Sequence, residues 1–542
     1  MSSVFGYIRF KHLIDFPDRS FQYNFIHQYK QYYQEFSTNV EHNFYKKETP
    51  EYYCTLFGNI SITKSFNLLW NNYSDFSPES FQQFCLDLAY QINGIYAITL
   101  YHKKSNCLYL VSDALGFYPM YYYFENGELL WFSDQKDLRT LEIRQWNWNE
   151  DAIESFIQNG HLLENQSWHK EIKRTPPGTI LCFDLNNKSE TQRRYWSWEK
   201  ILKNNELKLE ESIEKYYELI VSSLDSLQSI SYPLGLSLSG GLDSRLIATI
   251  LKEMFPFKSF TFSEENSIDL EIAQRVSKNL NIEHRHFEIL YDNWVSRRCM
   301  NIWKTSGMLS MEHLHEGDLF DQIHLEFPQI VHGFFGGGIY AGKAETNKRI
   351  DSSIAEQWIK DPKKIIDINS DFYNIQNIDC FIVNQRMRNS GAFSLYYLAQ
   401  YSKVIIPFYN LKWLEFNYSL DDEWQLNNKF YFQVLDKKLP KELKQISWQK
   451  TGIPVDFINM NIFALSNKLN SVREKVFNKL GHSTLFVNYK KVDEQIELQL
   501  YQMDYKSITE RRMQEMSRME KMRVLTFLLY RQMLKQNSSN VL

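Results

Sequence analysis

The stretch Ser239–Ser244, SGGLDS, constrains the fold of this chain more than any other feature of its sequence. Its two glycines stand between the apolar run YPLGLSL and the amphipathic run RLIATILKEM, a pattern that predicts a strand, a tight turn and a helix. Backbone N–H groups at such a turn point to one place beside the helix N-terminus, where anions bind. The hydroxyls of Ser239 and Ser244 can add hydrogen bonds, and Asp243 can hold Mg²⁺ against phosphate oxygens. The stretch therefore predicts a pyrophosphate-binding loop.

The region that follows this loop alternates strand and helix. FKSFTFSEENSIDLEIAQRVSKNL repeats the strand and helix order, and IEHRHFEI reads as a further strand. Such alternation predicts a parallel sheet with helices on its faces. Most glycine turns in such sheets only connect two elements, but six fitting residues in this context favour nucleotide binding over a purely structural turn. The last third reads as helical, and its final amphipathic helix, from Ser507 onward, is expected in the core or in a subunit contact.

The first 200 residues show a different pattern, with short runs in which apolar and polar positions alternate. The run from Asn93 to Ser133 predicts an antiparallel meander. A second hairpin is predicted at 174–198, and its polar stretch Asn186–Arg194 is interpreted as the turn. Helical patterns occur at 17–38 and 76–91, and a linker is expected near 197–207. The meander's turn signals lie at Lys104–Asn106, Leu115–Gly116 and Glu125–Gly127.

Charge and composition argue against several classes of partner. The net charge is −4 with both signs interspersed, so no basic field points to nucleic acid or to an anionic membrane. The six cysteines form no Cys-x-x-Cys pair, which argues against a zinc site and a disulfide framework. His284, His286, His313, His315 and His332 form no metal-binding pattern and are expected to be strand or loop residues. No signal sequence and no apolar run of about 18 residues is evident, so we expect a soluble, cytoplasmic protein.

Several segments, in the expected order, resemble the asparagine synthetase family, whose members join a glutaminase-type domain to a PP-loop ATP pyrophosphatase domain. The first domain contributes NGIYAITLY, VSDALGFYPMYYY, FSDQKDL and PPGTILCFD. The second contributes SGGLDS, FTFSEENSIDLEIAQ, KVIIPFYN and LPKELKQISWQKTGIP. The resemblance covers residues 1 to about 460. It implies an α+β N-terminal nucleophile-type sandwich at 1–200, followed at 208–542 by an α/β PP-loop domain, adenine nucleotide alpha hydrolase-like, with a helical C-terminal part.

The resemblance also indicates that the first domain does not hydrolyse glutamine. Ser2 stands where the hydrolysing members have their nucleophilic cysteine, although serine is the N-terminal nucleophile of other hydrolases. Phe57 stands where an amide donor completes the oxyanion hole, and loss of one such donor costs roughly 10²- to 10³-fold in rate. Asn93 stands where an aspartate holds the glutamine amine. The domain is thus expected to be structural, or a cover over the second site, as in beta-lactam synthetases and lasso-peptide cyclases, which also lack the cysteine.

In the second domain the resemblance implies a site for ATP and Mg²⁺. Asp243 would ligate Mg²⁺ and Lys450, in WQKTG, would neutralise charge as an adenylate forms and is attacked; the other reading of Lys450 is an ordinary surface lysine. Asp269 is either a family aspartate or a helix N-cap, and both readings remain open. The residues that would bind ATP, its pyrophosphate or border adenine are Ser237, Ser239, Gly240, Gly241, Leu242, Asp243, Ser244, Phe262 and Gly333.

One segment, VHGFFGGGIYAGK, departs from the family pattern. Family members carry a loop there that reads roughly SGEGSDE, with one acid for acceptor chemistry and one for a second magnesium contact. Phe334 and Gly337 occupy these positions here. Glu345 is a candidate substitute, and the glycines can still let backbone amides approach ATP.

These residues favour a carbon–nitrogen ligase that cleaves ATP to AMP and pyrophosphate. It would join a small-molecule or peptide carboxylate to an amine in a biosynthetic or tailoring step, and a homodimer fits the family. Glutamine-dependent asparagine synthesis is one alternative, and a non-catalytic scaffold is another, which the glycine-filled loop supports. The acceptor's identity is expected to be set by stretches such as 292–325 and 344–400, which carry no readable code.

Overall fold

The computed structural model describes most of the chain, and every structural statement below concerns the described part. The described residues are 3–8, 25–29, 32–37, 44–62, 65–75, 77–140, 145–204, 206–225, 227, 233–315, 319–336, 382–425, 428–457, 487–509 and 511–535.

Antiparallel strands dominate the first 200 residues. They are β1 (Ser3–Ile8), β2 (Phe25–Tyr29), β3 (Tyr32–Ser37), β4 (Phe44–Glu48), β5 (Tyr52–Ile62), β6 (Ile92–His102), β7 (Cys107–Ser112), β8 (Tyr121–Glu125), β9 (Glu128–Phe132), β10 (Lys173–Arg174), β11 (Thr179–Asp184) and β12 (Ser189–Arg194). They form two six-stranded sheets, ordered β10-β8-β9-β1-β3-β2 and β12-β11-β7-β6-β5-β4. The helices here are α1 (Phe66–Asn72), α2 (Pro78–Gln91) and α3 (Glu150–Asn159).

The strand predictions for this region are confirmed in part. The run from Asn93 to Ser133 does form antiparallel strands, but as two hairpins, β6–β7 in one sheet and β8–β9 in the other. The prediction of one meander is wrong because the chain crosses between the sheets after Ser112. The polar stretch Asn186–Arg194 is a turn only at its start, since β12 pairs with β11 over Ser189–Arg194.

The helical prediction for 76–91 is confirmed by α2, whereas the one for 17–38 is wrong in its described part. That part is a hairpin of β2 and β3, with Tyr29 opposite Tyr32. Tyrosine and phenylalanine favour strands, and cross-strand pairing outweighs the weak helical periodicity of the segment.

A parallel sheet organises the rest of the chain, as the alternating pattern predicts. Its strands are β13 (Leu234–Ser237), β14 (Lys258–Ser263), β15 (His284–Glu288), β16 (Gln329–His332) and β17 (Lys403–Ile405), in the order β15-β14-β13-β16-β17. All four strand pairs are parallel, so every strand ends at the same edge. From β13 the chain adds β14 and β15 on one side, whereas β16 and β17 lie on the other side, so the direction in which strands are added changes between β13 and β16. In open α/β sheets, ligands bind in the crevice at such a change of direction.

Helices cover this sheet and extend beyond it. They are α4 (Leu209–Leu224), α5 (Leu242–Met254), α6 (Ile268–Leu280), α7 (Trp294–Lys304), α8 (Leu319–Glu326), a π-helix (Val383–Gly391), α9 (Ala392–Leu398), α10 (Leu411–Ser419), α11 (Asp422–Gln425), α12 (Lys429–Lys438), α13 (Lys441–Lys444), α14 (Asp493–Gln502) and α15 (Arg518–Lys535). Across the described residues, none of these helices has the length and apolar character needed to span a membrane.

The two halves of the molecule share one buried core. α15 is part of it, since the ring of Phe527 lies 5.0 Å from that of Trp168, so the core reading of this helix is confirmed. The Asn59 side chain bridges to the neighbouring half, where it donates to the carbonyl of Val404 (2.7 Å) and accepts from its N–H (3.2 Å). The first half therefore packs directly against the parallel sheet.

Contacts between the halves also reach the carboxyl edge of that sheet. Tyr409, shortly after β17, donates its hydroxyl to the buried Asp113 carboxylate at 2.5 Å. Asp113 belongs to the SDALGF turn after β7, which therefore lies beside the edge where the predicted ATP site is expected.

Candidate active site

The Ser239–Ser244 loop lies between the central strand β13 and helix α5, with Gly241 as the N-cap. Its two serines close the turn, because the Ser239 N–H donates to Ser244 Oγ at 3.2 Å and the Gly241 N–H donates to Ser239 Oγ at 3.2 Å. The positive end of the α5 dipole thus faces the crevice between β13 and β16. The predicted strand, turn and helix are confirmed, and this arrangement suits a phosphate group.

Asp269 is held against this loop. Its Oδ1 accepts the Gly240 N–H at 2.7 Å, while the N-cap of α6 is Ser267, whose hydroxyl accepts from the Leu270 N–H. The N-cap reading of Asp269 is therefore wrong. Burial raises the pKa of the Asp269 carboxyl, and the hydrogen bond from Gly240 lowers it in part. The N–H groups of Ser239, Gly240 and Gly241 are thus all occupied within the protein, and a bound phosphate would use N–H groups further along the loop or replace one of these bonds.

The segment that carries Lys450 docks on the same loop. The Gln449 N–H donates to the carbonyl of Gly240 at 3.2 Å, and a Cβ on Gly240 would lie 2.6 Å from the Cβ of Gln449. Lys450 is exposed, with its Nζ 5.6 Å from the centre of the Trp448 ring. The structure therefore places the lysine one residue from a direct contact with the glycine turn.

Arg245 fixes this segment in place, a role that the sequence patterns do not reveal. Its buried guanidinium donates to the carbonyls of Leu443 (3.1 Å), Ile446 (2.8 Å) and Ser447 (2.9 Å). Burial lowers the pKa of Arg245 to about 10, so the side chain stays charged at neutral pH. A signal is present, because Arg245 interrupts the apolar helix that follows SGGLDS, but nothing local shows where its side chain reaches.

Asp243, the predicted Mg²⁺ ligand, points into a tight corner. Its Oδ1 accepts the hydroxyl of the buried Tyr431, on α12, at 2.5 Å. The loop after β16 closes the other side, because a Cβ on Gly336 would lie 2.4 Å from the Asp243 Cγ. Gly333 approaches the helix start as well, with a Cβ at that position 3.2 Å from the Ser244 N. Glycine at 336 is thus required by the Asp243 side chain.

Mg²⁺ fits this corner only as an ion shared with phosphate. Within the described ranges, no group of three His, Cys, Asp or Glu residues could hold a metal ion. Mg²⁺ in nucleotide sites is commonly held by one or two carboxylates together with substrate phosphates, and Asp243 can supply one. The Asp243 carboxylate would then bring the ion's positive charge to the phosphoryl oxygens.

Aromatic packing surrounds Phe334, the residue at which the family resemblance implies an acid. Phe334 lies against Gly391, where a Cβ would be 3.0 Å from its Cζ, and its N–H donates to His332 Nδ1. Burial lowers the pKa of His332 to about 4, so this imidazole is neutral. Phe335 is buried with its ring edge-on to Phe117 of the first half, at 5.5 Å. Gly337 and Glu345 lie outside the described residues, so their assignments stay predictions.

Ser237 and Phe262 stand at the ends of neighbouring strands. Ser237 ends β13, and Phe262 is the penultimate residue of β14. Both are partly exposed at the carboxyl edge, beside the loop. The predicted border of an adenine site is thus brought together with the predicted pyrophosphate loop.

At Phe57, one of the residues of the predicted glutaminase remnant, the space is filled by packed aromatic rings. This residue is fully buried in β5, with its ring 5.4 Å from that of Tyr118. The following Gly58 has φ 151° and lies so close to β6 that a Cβ would be 2.2 Å from the Ile95 carbonyl oxygen. Asn93 is partly buried at the start of β6, and Ser2 lies outside the described residues. An aromatic ring therefore occupies the place of the expected amide donor.

Comparison with known proteins points to one family. Residues 79–196 match the family described as a glutamine amidotransferase domain, and residues 215–298 match asparagine synthase. The chain is 28% identical over 213 residues to asparagine synthetase [glutamine-hydrolyzing] 2 of Bacillus subtilis, covering 37% of this chain and 28% of that protein. Asparagine synthetase [glutamine-hydrolyzing] 1 of the same organism is 21% identical over 220 residues, 40% of this chain and 34% of that protein.

The chain is thus similar to the asparagine synthetase family over these two regions. The alignments span less than half the length of each of these relatives, so the activity of the whole chain is a matter for proposal. The two matched regions contain Asn93 and the stretch from Ser237 to Asp269, whereas Phe57, Gly333 and Lys450 lie outside them.

Among solved structures, the NMN synthetase of Francisella tularensis is similar over 23% of this chain and 54% of its own. Its identity is 18% and its TM-score is 0.18.

Proposed function

We propose that this chain is a member of the asparagine synthetase family and an ATP-dependent ligase that adenylates a carboxylate and couples it to an amine from a source other than glutamine. A carboxylate oxygen attacks the α-phosphorus of ATP and pyrophosphate leaves. The amine nitrogen then attacks the acyl carbon, loses a proton and displaces AMP. The substrates are a small-molecule or peptide carboxylate and an amine, with ATP and Mg²⁺, in a biosynthetic or tailoring step. In this proposal, residues 1–200 form an N-terminal nucleophile-type domain and residues 208–542 form a PP-loop domain.

One observation carries this proposal, namely the docking of the Lys450 segment on the Ser239–Ser244 loop at the point where the strand order reverses. The loop offers a helix N-terminus to pyrophosphate. The Gln449 contact with Gly240 and the Arg245 contacts with 443–447 hold the lysine beside it. A cation in that place stabilises the charge that gathers on phosphoryl oxygens during adenylation.

The amine source follows from the first half of the chain. The buried Phe57 stands where the family resemblance implies an oxyanion donor, and the Asn59 amide is bonded to Val404. Without these groups a tetrahedral oxyanion from glutamine gains little stabilisation, so the amine is expected as free ammonia or as part of a substrate.

Pyrophosphate release from ATP by the purified protein tests the proposal. Amino acids, small peptides and sugar acids serve as carboxylates, each with ammonium, glutamine or no added amine. We expect release that depends on one carboxylate and is lost in Asp243→Ala. Product formation with ammonium but not with glutamine would support the amine source.

Two other outcomes would replace the proposal. Glutamine-dependent AMP formation with aspartate, lost in Ser2→Ala, would identify the activity named for the Bacillus subtilis relatives. ATP binding without pyrophosphate release for any carboxylate would identify a non-catalytic scaffold, which the Tyr431 bond to Asp243 and the acid-free loop after β16 favour.

A further inference from the structure

Phe335, in the loop after β16, has a backbone conformation that aromatic residues rarely adopt. Its φ is 71°, in the left-handed region, where the Cβ of a bulky residue is crowded by its own backbone. The other described non-glycine residues with positive φ are all polar, and five of them are asparagines. Such a conformation persists only where the surrounding structure holds it in place. The contacts of the Phe335 side chain therefore show what holds the loop.

Three aromatic rings from separate parts of the chain meet at this position. Phe335 is 2% exposed, and its ring lies edge-on to that of Phe117 at 5.5 Å and 5.8 Å from that of Tyr409. The rings of Phe117 and Tyr409 lie 5.3 Å apart, so the three close a triangle. Edge-on and tilted rings at these distances attract each other in addition to burying apolar area. The Phe335 ring is thus held both by the first half of the molecule and by the segment after β17.

One carboxylate of the first half fixes the two partners of Phe335. Asp113 is fully buried, and its Oδ1 accepts the Phe117 N–H at 3.0 Å and the Tyr409 hydroxyl at 2.5 Å. Its Oδ2 accepts the Tyr118 N–H at 2.8 Å. Each of these bonds is costly to break, because a buried carboxylate would be left less well compensated. Phe117 and Tyr409 are therefore held in one position relative to each other.

The loop that contains Phe335 reaches the Asp243 corner one residue later. The Gly336 N–H donates to the Gly333 carbonyl at 3.4 Å, which closes the turn. A Cβ on Gly336 would lie 2.4 Å from the Asp243 Cγ. Because the peptide between residues 335 and 336 is planar, the φ and ψ angles of Phe335 decide where Gly336 lies. A change at Phe335 would therefore change the support of the Asp243 carboxylate.

We infer that Phe117, in the first half of the chain, is a positioning residue for the proposed ATP and Mg²⁺ site. It acts through Phe335, whose backbone places Gly336 against Asp243. The Asp243 carboxylate is thereby kept in the orientation that an ion shared with phosphate needs, so the first half contributes to the ligase site without a reaction of its own. The inference rests on the proposed function, because that proposal identifies Asp243 as the Mg²⁺ contact.

The Mg²⁺ dependence of ATP binding to the full-length protein tests the inference. ATP is titrated calorimetrically at a series of Mg²⁺ concentrations with no carboxylate substrate present, so that no turnover is needed. Phe117→Leu removes the ring that contacts Phe335, and we expect the Mg²⁺ midpoint of ATP binding to rise by about fivefold or more. An unchanged or lower midpoint would overturn the inference, and so would ATP binding by the unaltered protein that does not depend on Mg²⁺.

A matched variant separates positioning from stability. Phe156, on α3, is also fully buried, and its ring lies edge-on to that of Trp168 at 5.2 Å. Phe156→Leu should lower the melting temperature about as much as Phe117→Leu but leave the Mg²⁺ midpoint unchanged. An equal rise of the midpoint in both variants would show that any loss of packing weakens the site, and would overturn the inference.

A second variant and a double-mutant cycle test the route through Phe335. Phe335→Gly removes the ring and relaxes the backbone, so it should raise the midpoint about as much as Phe117→Leu. Adding Phe117→Leu to Phe335→Gly should then change the midpoint by less than about twofold, because the ring contact is already lost. Effects that multiply would overturn the inference, as would an unchanged midpoint in Phe335→Gly even if Phe117→Leu does not fold. Pyrophosphate release is measured separately, so a failure of the positioning role and a failure of adenylation are distinguishable.

Discussion

Two loops face each other across the crevice between β13 and β16, and they are built differently. The Ser239–Ser244 loop has serine hydroxyls that organise its backbone and an aspartate beside them. The described part of the loop after β16, Gly333–Gly336, has no acid, and its glycines lie against Ser244 and Asp243. The first loop can therefore bind an anion directly. The second loop contributes space, because its glycines leave room for the Ser244 backbone and the Asp243 side chain. In the proposed ligase, nucleotide binding and acceptor chemistry would therefore be carried by separate loops, and one could change while the other persists.

The largest effect is expected from removal of the lysine beside the first loop. Lys450→Ala should lower the rate of pyrophosphate release about 10²- to 10³-fold, because the side chain stabilises charge that develops in the transition state. ATP affinity should change little. Single-turnover kinetics and ATP titration separate the two, and Lys441→Ala, exposed on the nearby α13, is the matched control. A wild-type rate in Lys450→Ala would make the residue an ordinary surface lysine.

The two glycines of the first loop should differ strongly. In Gly240→Ala the new Cβ meets the Gln449 Cβ at 2.6 Å and displaces the Lys450 turn, so we expect about a 10²-fold loss in kcat. In Gly241→Ala the nearest atom is the Ser239 Oγ at 3.1 Å, which needs to move by only a few tenths of an ångström and can keep its hydrogen bond from the Gly241 N–H, so the loss should be small. Equal losses in the pair would show that the docking of the Lys450 segment has no role.

A methyl group in the second loop tests its role as a support. Gly336→Ala puts a Cβ 2.4 Å from the Asp243 Cγ, and overpacking of this kind costs about 1–3 kcal/mol. We expect the Mg²⁺ concentration for half-maximal pyrophosphate release to rise about tenfold. Gly333→Ala, whose Cβ would meet backbone at 3.2 Å, should have the smaller effect. Insensitivity of the Mg²⁺ midpoint to Gly336→Ala would remove Asp243 from the metal site.

The smallest effect concerns the hydroxyl that occupies Asp243. Tyr431→Phe keeps the buried ring and removes one hydrogen bond to the Asp243 carboxylate. Because one hydrogen bond that competes with the ion for Asp243 Oδ1 is removed, the Mg²⁺ midpoint should fall a few-fold. A rise in that midpoint would instead show that Tyr431 holds Asp243 in its binding orientation.

Local patterns predict the parts of this site that lie close together in the sequence. The Ser239–Ser244 loop, the strands around it and the ends of those strands at Ser237 and Phe262 follow from apolar periodicity and two glycines. The site beyond the loop depends on distant contacts. Asp269 reaches Gly240 across 29 residues and Arg245 reaches Leu443 across 198, and no pattern in one sequence encodes either pairing.

The wrong predictions share a physical cause. Tyr29 and Tyr32 lie in a segment whose spacing is partly helical, but strand pairing decides the structure of an aromatic-rich hairpin. The polarity of Ser189–Arg194 favours a turn, yet an edge strand can be polar on both faces when only one side is paired. Tertiary partners, absent from any local window, decide both cases.

The contacts of Arg174 bear on how such a chain folds. This buried arginine of the first half donates to the carbonyl of Arg388 at 2.9 Å and to the side chain of Asn389 at 2.7 Å, both on the π-helix of the second half. Arg388 donates back to the carbonyls of Glu164 and Thr175. Deletion of the first half would remove these hydrogen-bond partners from the buried side chains of Arg388 and Asn389. A chain of this architecture would therefore need its first half for folding even where that half carries out no reaction.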